Sequence, residues 1–169
     1  MADVPPPTGS GPYRIALVCL GNICRSPMAH VVLDATLESA GLAGHVEVTS
    51  SGTGDWHVGQ PMDDRAAAAL IGGGYDGSAH RARHFDASWF DHDLLLVMDE
   101  DNLRDVLALG GGADRVRLFR DFDPVDPGSE VPDPYYGGED RFREVLAMVE
   151  RTSAALVAAL QAARIGAGS

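Results

Sequence analysis

The chain has 169 residues, a usual length for one domain, and 45% of them are hydrophobic, which is enough to form a buried core. Its formal net charge of −12 disfavours binding to nucleic acid or to an anionic membrane, and the sequence shows no apolar run long enough to predict a membrane span. All 13 basic residues are arginine, and the absence of lysine excludes a Walker-type phosphate loop and Schiff-base chemistry.

The two ends of the chain are expected to lie outside the fold. Residues 1–12, MADVPPPTGSGP, are rich in proline and glycine, which predicts a disordered leader. This segment lacks the charged start and apolar stretch of a signal peptide, so we expect a cytoplasmic protein. Residues 164–169 are expected to form a flexible tail.

The first half of the chain alternates between apolar runs and amphipathic segments. RIALVCL (14–20) predicts a buried strand, and Ser26 with Pro27 predicts a helix that starts with a serine N-cap and ends near Gly41. VEVTSSGT (46–53) predicts a second strand. DDRAAAALI (63–71) predicts a short helix that a run of three glycines ends.

The second half repeats the alternation and finishes in a long helix. DLLLVMDE (93–100) contains a buried strand, EDNLRDVLAL (100–109) predicts a helix, and RVRLF (115–119) predicts a fourth strand. The proline- and glycine-rich segment 123–138 predicts a loop. The last helix is expected at 139–163, with an apolar stripe formed by Phe142, Val145, Leu146, Val149, Leu156 and Leu160.

Alternating strands and helices are typical of a parallel sheet covered on both faces. We therefore predict a single α/β domain, residues 13–163, with a four-stranded parallel sheet flanked by helices on both faces. Ligands of such sheets bind at the carboxyl ends of the strands. The segment VCLGNICRSPMA (18–29), which holds both cysteines of the chain, lies at such an end.

Residues 19–26, here called the anion loop, connect the first strand to the amino end of a helix. Unpaired N–H groups of a first helical turn attract anions, and a tight loop before the turn can aim further amides at the same point. Gly21 permits a close turn, and Asn22 tolerates left-handed backbone geometry. Arg25 adds a planar donor suited to phosphate, and Ser26 adds a hydroxyl. This pattern indicates a phosphate site without lysine or metal.

Cys19 lies at the base of the anion loop, where the amides, the helix terminus and Arg25 all favour a thiolate. A thiolate beneath a bound phosphoryl group is positioned for in-line attack, which would form a phosphocysteine. The alternative for Cys19, a small apolar filler of the core, does not explain the arginine and serine that follow it. Cys24 has two open interpretations: a core-facing loop residue, or a redox partner that forms a regulatory disulfide with Cys19.

The anion loop resembles the active-site loop of the low-molecular-weight protein tyrosine phosphatases. The resemblance extends over residues 13–163 through SSGTGDWHVGQPMDDRA, HRARHF, MDEDNLRD and PDPYYGG, in the order found in that family. It implies a bacterial-type hydrolase in which Cys19 is the nucleophile, Arg25 binds phosphate, and Asp133 is the general acid and then the general base. The implied substrates are tyrosine-phosphorylated proteins or peptides, with phosphate as a product and no cofactor. A monomer is expected.

Other positions take expected roles from the same resemblance. The substrate-binding positions comprise the rest of the loop and an aromatic rim: Leu20, Gly21, Asn22, Ile23, Cys24, Ser26, Trp56, Tyr135 and Tyr136. Ser50 and His80 are expected to support the loop through hydrogen bonds. His80 and His84 have metal-like spacing, but no further ligands are apparent, so no metal is expected. Whether Tyr135 or Tyr136 is itself phosphorylated, as in some members, stays open.

Two sister activities and one non-enzymatic function are the alternatives. An arsenate reductase of this fold needs two cysteines beyond the loop, and the chain has none. In phosphoarginine phosphatases the position of Ile23 resembles threonine, so isoleucine favours the flat ring of phosphotyrosine. A phosphate-binding module without turnover would lack a nucleophile or an acid, and this chain has both.

Overall fold

Four strands and four α-helices alternate along the chain in a computed structural model that describes residues 2–167. The strands are β1 (Tyr13–Cys19), β2 (Val46–Gly52), β3 (Leu94–Val97) and β4 (Val116–Leu118). The helices are α1 (Arg25–Ser39), α2 (Asp64–Gly72), α3 (Glu100–Leu107) and α4 (Glu139–Ala162). Two short 3₁₀ helices, Ala87–Asp91 and Phe119–Phe122, were not predicted.

The strands form one parallel sheet in the order β2-β1-β3-β4, which confirms the predicted four-stranded parallel sheet. Cys19 at the end of β1 is in register with Gly52 at the end of β2. Val18 is in register with Val97 at the end of β3. The loops after these strands therefore begin side by side at one edge of the sheet, where ligands of parallel sheets bind.

Helices cover both faces of the sheet, as predicted. One face packs against α1, α2 and α4, and its core includes Ile15 and Leu17 of β1. The other face carries Ala16 and Val18 and packs against α3 and the 3₁₀ helix Ala87–Asp91. Full burial of one leucine or valine side chain contributes about 1.5–3 kcal/mol, so these two layers hold the strand ends in place.

The start of α1 differs from the prediction. Its N-cap is Cys24 and its first residue is Arg25, so the predicted N-cap role of Ser26 is wrong. The Ser26 hydroxyl bonds with Cys19 and Asn22 instead, and these bonds turn the first helical turn toward the loop. Residue Phe119, predicted as the last strand residue, begins the second 3₁₀ helix.

Residues 2–12 contain no helix or strand, but they contact the folded domain. The Thr8 amide and hydroxyl both donate to the Asp93 carboxylate at 2.7 Å, and the Tyr13 hydroxyl donates to the Pro5 carbonyl at 2.8 Å. These contacts do not test whether residues 1–12 are disordered in solution, so the disordered leader stays a prediction. The same holds for the flexible tail, of which Ile165 packs against the core and residues 168–169 lie outside the described part.

Helix α4 is, within residues 2–167, the one segment long and apolar enough to cross a membrane by length and composition. Its most apolar window has a mean hydropathy of 1.3. The absence of a membrane span stays a prediction. Half of that window is buried inside the protein, and Phe142, Val149 and Leu156 lie in the core. A core helix of a globular domain has the same properties, which makes them a weak indication of a membrane span.

Candidate active site

The anion loop turns tightly between the end of β1 and the start of α1. Asn22 adopts the left-handed backbone conformation with φ of 56°, as its residue type allowed, and its side chain is fully buried. Gly52 of β2 lies in close contact with the loop backbone: a Cβ at this position would be 2.7 Å from the Leu20 carbonyl oxygen. Only glycine fits at this position, so β2 passes directly against the backbone of the anion loop.

The Cys19 thiol lies at the centre of this turn and is surrounded by donors. The Ser26 Oγ is 2.9 Å from Cys19 Sγ, and the backbone N–H of Asn22 donates to the same sulfur at 3.3 Å. The residue is 2% exposed, but it lines a surface cavity. The sulfur therefore lies at the floor of an open cavity, where it can be reached by a ligand.

The Arg25 side chain is buried and held by two residues from distant parts of the chain. Its guanidinium donates to the Asp99 carboxylate at 2.6 Å and to the Val131 carbonyl at 3.1 Å. Burial alone would lower the pKa of Arg25, but the nearby Cys19, Asp99 and Asp133 raise it, so the arginine stays charged. Asp99 was not predicted as a site residue. It caps α3 directly after β3, so its position at the carboxyl end of a central strand was the available signal.

The structure brings Asp133 to the same place from the loop 123–138, here called the acid loop. Its carboxylate lies 3.8 Å from the Arg25 guanidinium and accepts a hydrogen bond from the Tyr135 amide at 3.1 Å. The side chain is 39% exposed, so it can exchange protons with solvent. Of the other aspartates in the acid loop, Asp123 is buried between two arginines and Asp126 faces Arg120. Neither of those two lines the cavity.

A cavity of about 310 Å³ opens above Cys19 and Arg25. Its walls include seven of the nine predicted substrate-binding residues, Leu20, Gly21, Ile23, Cys24, Trp56, Tyr135 and Tyr136, together with His57, which the sequence did not single out. The other two, Asn22 and Ser26, are buried behind the loop and do not line the cavity. Trp56 is 65% exposed and Tyr136 is 93% exposed, whereas Tyr135 is 40% exposed and packs edge-on against Tyr136. Exposed aromatic walls around a buried anion site suit a ligand with a flat ring and an anionic end.

Asn22 is the centre of a hydrogen-bond network that holds the loop. Its amide nitrogen donates to Ser26 Oγ at 2.8 Å, and its amide oxygen accepts from the Arg83 backbone at 2.9 Å. The His80 ring donates from Nε2 to the Asn22 carbonyl at 2.7 Å. Ser50 pairs instead with His30 at 3.2 Å. His80 therefore contacts the loop directly, and Ser50 reaches no loop residue by a hydrogen bond in the described structure.

Both cysteines are free and buried in this structure. Burial, followed by the nearby Asp63 and Cys19, raises the pKa of the Cys24 thiol well above its usual range, so Cys24 is held as a neutral thiol. A neutral thiol is a poor nucleophile, and Cys24 is therefore no rival to Cys19 for attack on a phosphoryl group. Whether the two form a disulfide stays open.

The two histidines with metal-like spacing contact different groups. His80 binds the Asn22 carbonyl, and His84 lies 3.2 Å from the Thr53 carbonyl. Within residues 2–167 no group of three or more histidine, cysteine, aspartate or glutamate side chains is arranged to hold a metal ion.

Comparison with known proteins identifies the group to which the chain is similar. A sequence model of the low molecular weight phosphotyrosine protein phosphatases matches residues 14–165. The chain is 48% identical over 155 residues to a low molecular weight protein-tyrosine-phosphatase of Streptomyces coelicolor, covering 88% of this chain and 94% of that protein.

Solved structures of two relatives superpose on almost the whole chain. One is a protein tyrosine phosphatase from Entamoeba histolytica, with a TM-score of 0.85, 32% identity, and coverage of 89% of this chain and 98% of that one. The other is the arginine phosphatase YwlE, found in Bacillus subtilis, with a TM-score of 0.80, 25% identity, and coverage of 88% and 95%. The chain therefore belongs to the low molecular weight phosphotyrosine protein phosphatase family and is a protein-tyrosine-phosphatase of that family.

Proposed function

We propose that this enzyme hydrolyses phosphotyrosine in proteins or peptides through a phosphocysteine intermediate. In this mechanism Cys19 is the nucleophile, Arg25 binds the phosphoryl group, and Asp133 is first the general acid and then the general base. The observation that carries the proposal is that a thiol, a guanidinium and a carboxyl group border one cavity whose outer walls are aromatic.

In the first step the Cys19 thiolate attacks phosphorus in line with the tyrosyl oxygen. The S–P bond forms, the P–O bond breaks, and Asp133 donates its proton to the departing phenolate oxygen. Arg25 and the loop amides hold the three equatorial oxygens, whose negative charge grows in the transition state. The Ser26 hydroxyl, 2.9 Å from the sulfur, stabilises the thiolate before attack.

In the second step water attacks the phosphocysteine. The ionised Asp133 accepts a proton from the water, the new O–P bond forms, and the S–P bond breaks to release phosphate and the Cys19 thiolate. The exposure of Asp133 suits this double role, because the carboxyl must lose its proton in one step and take one in the next. The bonds from Arg25 to Asp99 and Val131 keep the guanidinium in place through both steps.

Phosphoarginine is the alternative substrate, since the similar YwlE structure is that of an arginine phosphatase whose mutant carries a phosphorylated active-site serine. That structure supports a covalent phosphoenzyme within this fold. In this chain the cavity wall next to Cys19 carries the apolar Ile23, which favours contact with an aromatic ring. Arsenate reduction is not supported, because the chain has two cysteines and the relay needs further ones.

The test compares hydrolysis of a phosphotyrosine peptide with that of the same peptide carrying phosphoarginine, without added metal. The phosphotyrosine peptide is expected to turn over faster, Cys19→Ser to abolish turnover, and Asp133→Asn to lower it by about 10²–10⁴-fold, the range for general acid catalysis. Trapping a phosphate on sulfur after rapid acid quench would support the intermediate. Preference for phosphoarginine would overturn the substrate, and full activity of Cys19→Ser would overturn the mechanism.

The setting proposed for this reaction is a monomer in the cytoplasm that binds neither nucleic acid nor membrane. The net charge of −12 supports the last two points, because like charges repel. Light scattering at micromolar concentration will test the monomer, and fractionation of the cells will test the location. A stable dimer or a membrane-bound fraction would contradict the proposal.

A further inference from the structure

Arg65, in the first turn of α2, contacts the acid loop in two ways. Its guanidinium donates to the Gly137 carbonyl at 3.1 Å, and its central carbon lies 5.4 Å from the centre of the Tyr135 ring. It also lies 4.8 Å from the centre of the Phe142 ring, the first core residue of α4. The guanidinium therefore connects α2 to the segment 135–142, which begins two residues after Asp133 and ends in the first turn of α4.

Asp63 fixes the orientation of that guanidinium. Its carboxylate accepts two hydrogen bonds from the Arg65 fork, each 3.1 Å long, and one from the Arg65 backbone at 2.8 Å. Burial alone would raise the pKa of Asp63, but the hydrogen bonds from Arg65 leave it lowered, so the pair is ionised. A bidentate arginine–carboxylate pair of this kind fixes the orientation of the guanidinium plane, which a single hydrogen bond does not.

The same residue connects this pair to the anion loop. The Asp63 backbone N–H donates to the Ile23 carbonyl at 2.9 Å. A continuous path of contacts thus runs from the anion loop through Asp63 and Arg65 to Tyr135 and Gly137.

We propose that Arg65 is a positioning residue that holds the acid loop, and with it Asp133, at a set distance from the anion loop. The proposal rests on the proposed function, because it assumes that Asp133 is the proton donor. Asp133 is two residues from Tyr135, whose amide bonds its carboxylate, so a fixed Tyr135 also fixes the carboxyl group. The ring of Tyr135 is held at the same time as a wall of the cavity.

The effect of losing Arg65 on the rate should depend on the acidity of the leaving group. A displaced Asp133 protonates the departing oxygen poorly, which matters for tyrosine, a weak acid with a pKa of about 10. A nitrophenol is a stronger acid and leaves without full protonation. Loss of Arg65 is therefore expected to lower kcat/KM for a phosphotyrosine peptide more than for nitrophenyl phosphate. Both substrates carry a ring, so a weaker contact with Tyr135 affects both and largely cancels in the ratio.

The test measures kcat/KM for both substrates in the full chain carrying Arg65→Met. We expect a loss of about 10-fold to 100-fold on the phosphotyrosine peptide, the scale of a 1 Å misplacement, and less than about 3-fold on nitrophenyl phosphate. The matched control is Arg143→Met, which removes an exposed arginine near the start of α4 that pairs with Asp140. This control should leave both values unchanged.

Two further variants separate the possible failures. Arg65→Lys keeps the charge but not the fork or the plane, and it should show the same selective loss; it serves as the measured variant if Arg65→Met does not fold. Equal losses on both substrates for Arg65→Lys, or no loss, would overturn the positioning role. Asp133→Asn must itself be selective for the phosphotyrosine peptide. If it is selective and the Arg65 variants are not, only the role of Arg65 fails; if it is not, the assignment of the acid fails as well.

Discussion

Replacement of Asp123 by asparagine tests whether buried ion pairs hold the base of the acid loop. The Asp123 side chain is fully buried and accepts one hydrogen bond from Arg120 and two from Arg151, all between 2.9 and 3.0 Å. A second nitrogen of the Arg120 guanidinium lies 2.9 Å from the same carboxylate. Arg120 also donates to the Glu130 carbonyl at 2.7 Å. The cluster thus joins the start of the acid loop to its middle and to α4.

The cost of this change follows from the burial of the cluster. Removing one partner of a buried ion pair typically costs about 3–5 kcal/mol, because the remaining charge is left uncompensated. Arg120 is 6% exposed and cannot recover solvation in place, so the full range applies. At about 2–4 °C per kcal/mol for a domain of this size, the melting temperature should fall by roughly 6–20 °C.

Urea unfolding at neutral pH will measure the free energy of unfolding of Asp123→Asn against the wild type. The control is Asp126→Asn: Asp126 is 65% exposed and lies 3.6 Å from the same Arg120. An exposed pair contributes about 0–1 kcal/mol, so this variant should stay within that range. A cost below about 1 kcal/mol for Asp123→Asn, equal to that of the control, would refute the reasoning from burial.

The pH dependence of that cost provides a second check. Burial alone would raise the pKa of Asp123, but hydrogen bonds from Arg151, the Val125 amide and Arg120 lower it well below its usual range. A group whose pKa is lowered on folding stabilises the protein above its unfolded pKa of about 3.9, and this stabilisation is lost as the pH falls through the folded value. The gap between wild type and Asp123→Asn should be constant from pH 7 to 5 and shrink below about pH 4.

Three shorter predictions concern the loop and its supports. Gly52→Ala should displace the Leu20 carbonyl oxygen, which lies 2.7 Å from the new Cβ, and should lower kcat/KM by about tenfold or more. The control Gly44→Ala places its Cβ in open space and should leave kcat/KM unchanged. Equal kcat/KM values for the two variants would refute the contact at Gly52. Burial is the main cause that lowers the pKa of His80, so neutral His80 stabilises the fold above about pH 6.5, and this stabilisation is lost as the pH falls through the folded pKa. The free energy of unfolding of His80→Gln should therefore fall less between pH 7 and pH 5 than that of the wild type. Equal losses in the two proteins would contradict this role of His80. Ile23→Thr should raise the ratio of phosphoarginine to phosphotyrosine kcat/KM by about tenfold, and an unchanged ratio would remove Ile23 from substrate choice.

The sheet and the anion loop were predictable because their signals are local. The run that forms β3 and the part of β1 after Arg14 are continuously apolar, as buried parallel strands are. Asn22 and Arg25 lie within six residues of Cys19. Ser26 shows the limit of local rules. Serine before proline predicts an N-cap, but the Ser26 hydroxyl bonds with Cys19 and Asn22, and the helix begins at Arg25, two residues before the predicted first helical residue Pro27.

The proposed acid could not be identified from local pattern alone. Asp121, Asp123, Asp126 and Asp133 all lie in or near one polar loop, and only the resemblance of Asp-Pro-Tyr-Tyr to a known family favoured Asp133. The structure supplies a physical reason for the difference between two of them. Asp123 is neutralised by two arginines in the core, whereas Asp133 is partly exposed and lies 3.8 Å from Arg25. Charge pairing across the fold, which periodicity does not encode, separates them.

The supports of the site were missed for the same reason. The contact from Arg25 to Val131 spans 106 residues, and that from Arg65 to Gly137 spans 72. Val131 and Gly137 contribute only backbone carbonyls, which any residue has, so their residue types give no signal of these contacts. Such contacts exist because α1, α2 and α4 pack in one core on the same face of the sheet, which brings the anion loop and the acid loop together. The proposed nucleophile can therefore be found in the sequence, but its distance from the proposed proton donor is a property of helix packing. This dependence on packing is the basis of the positioning role proposed for Arg65 on α2.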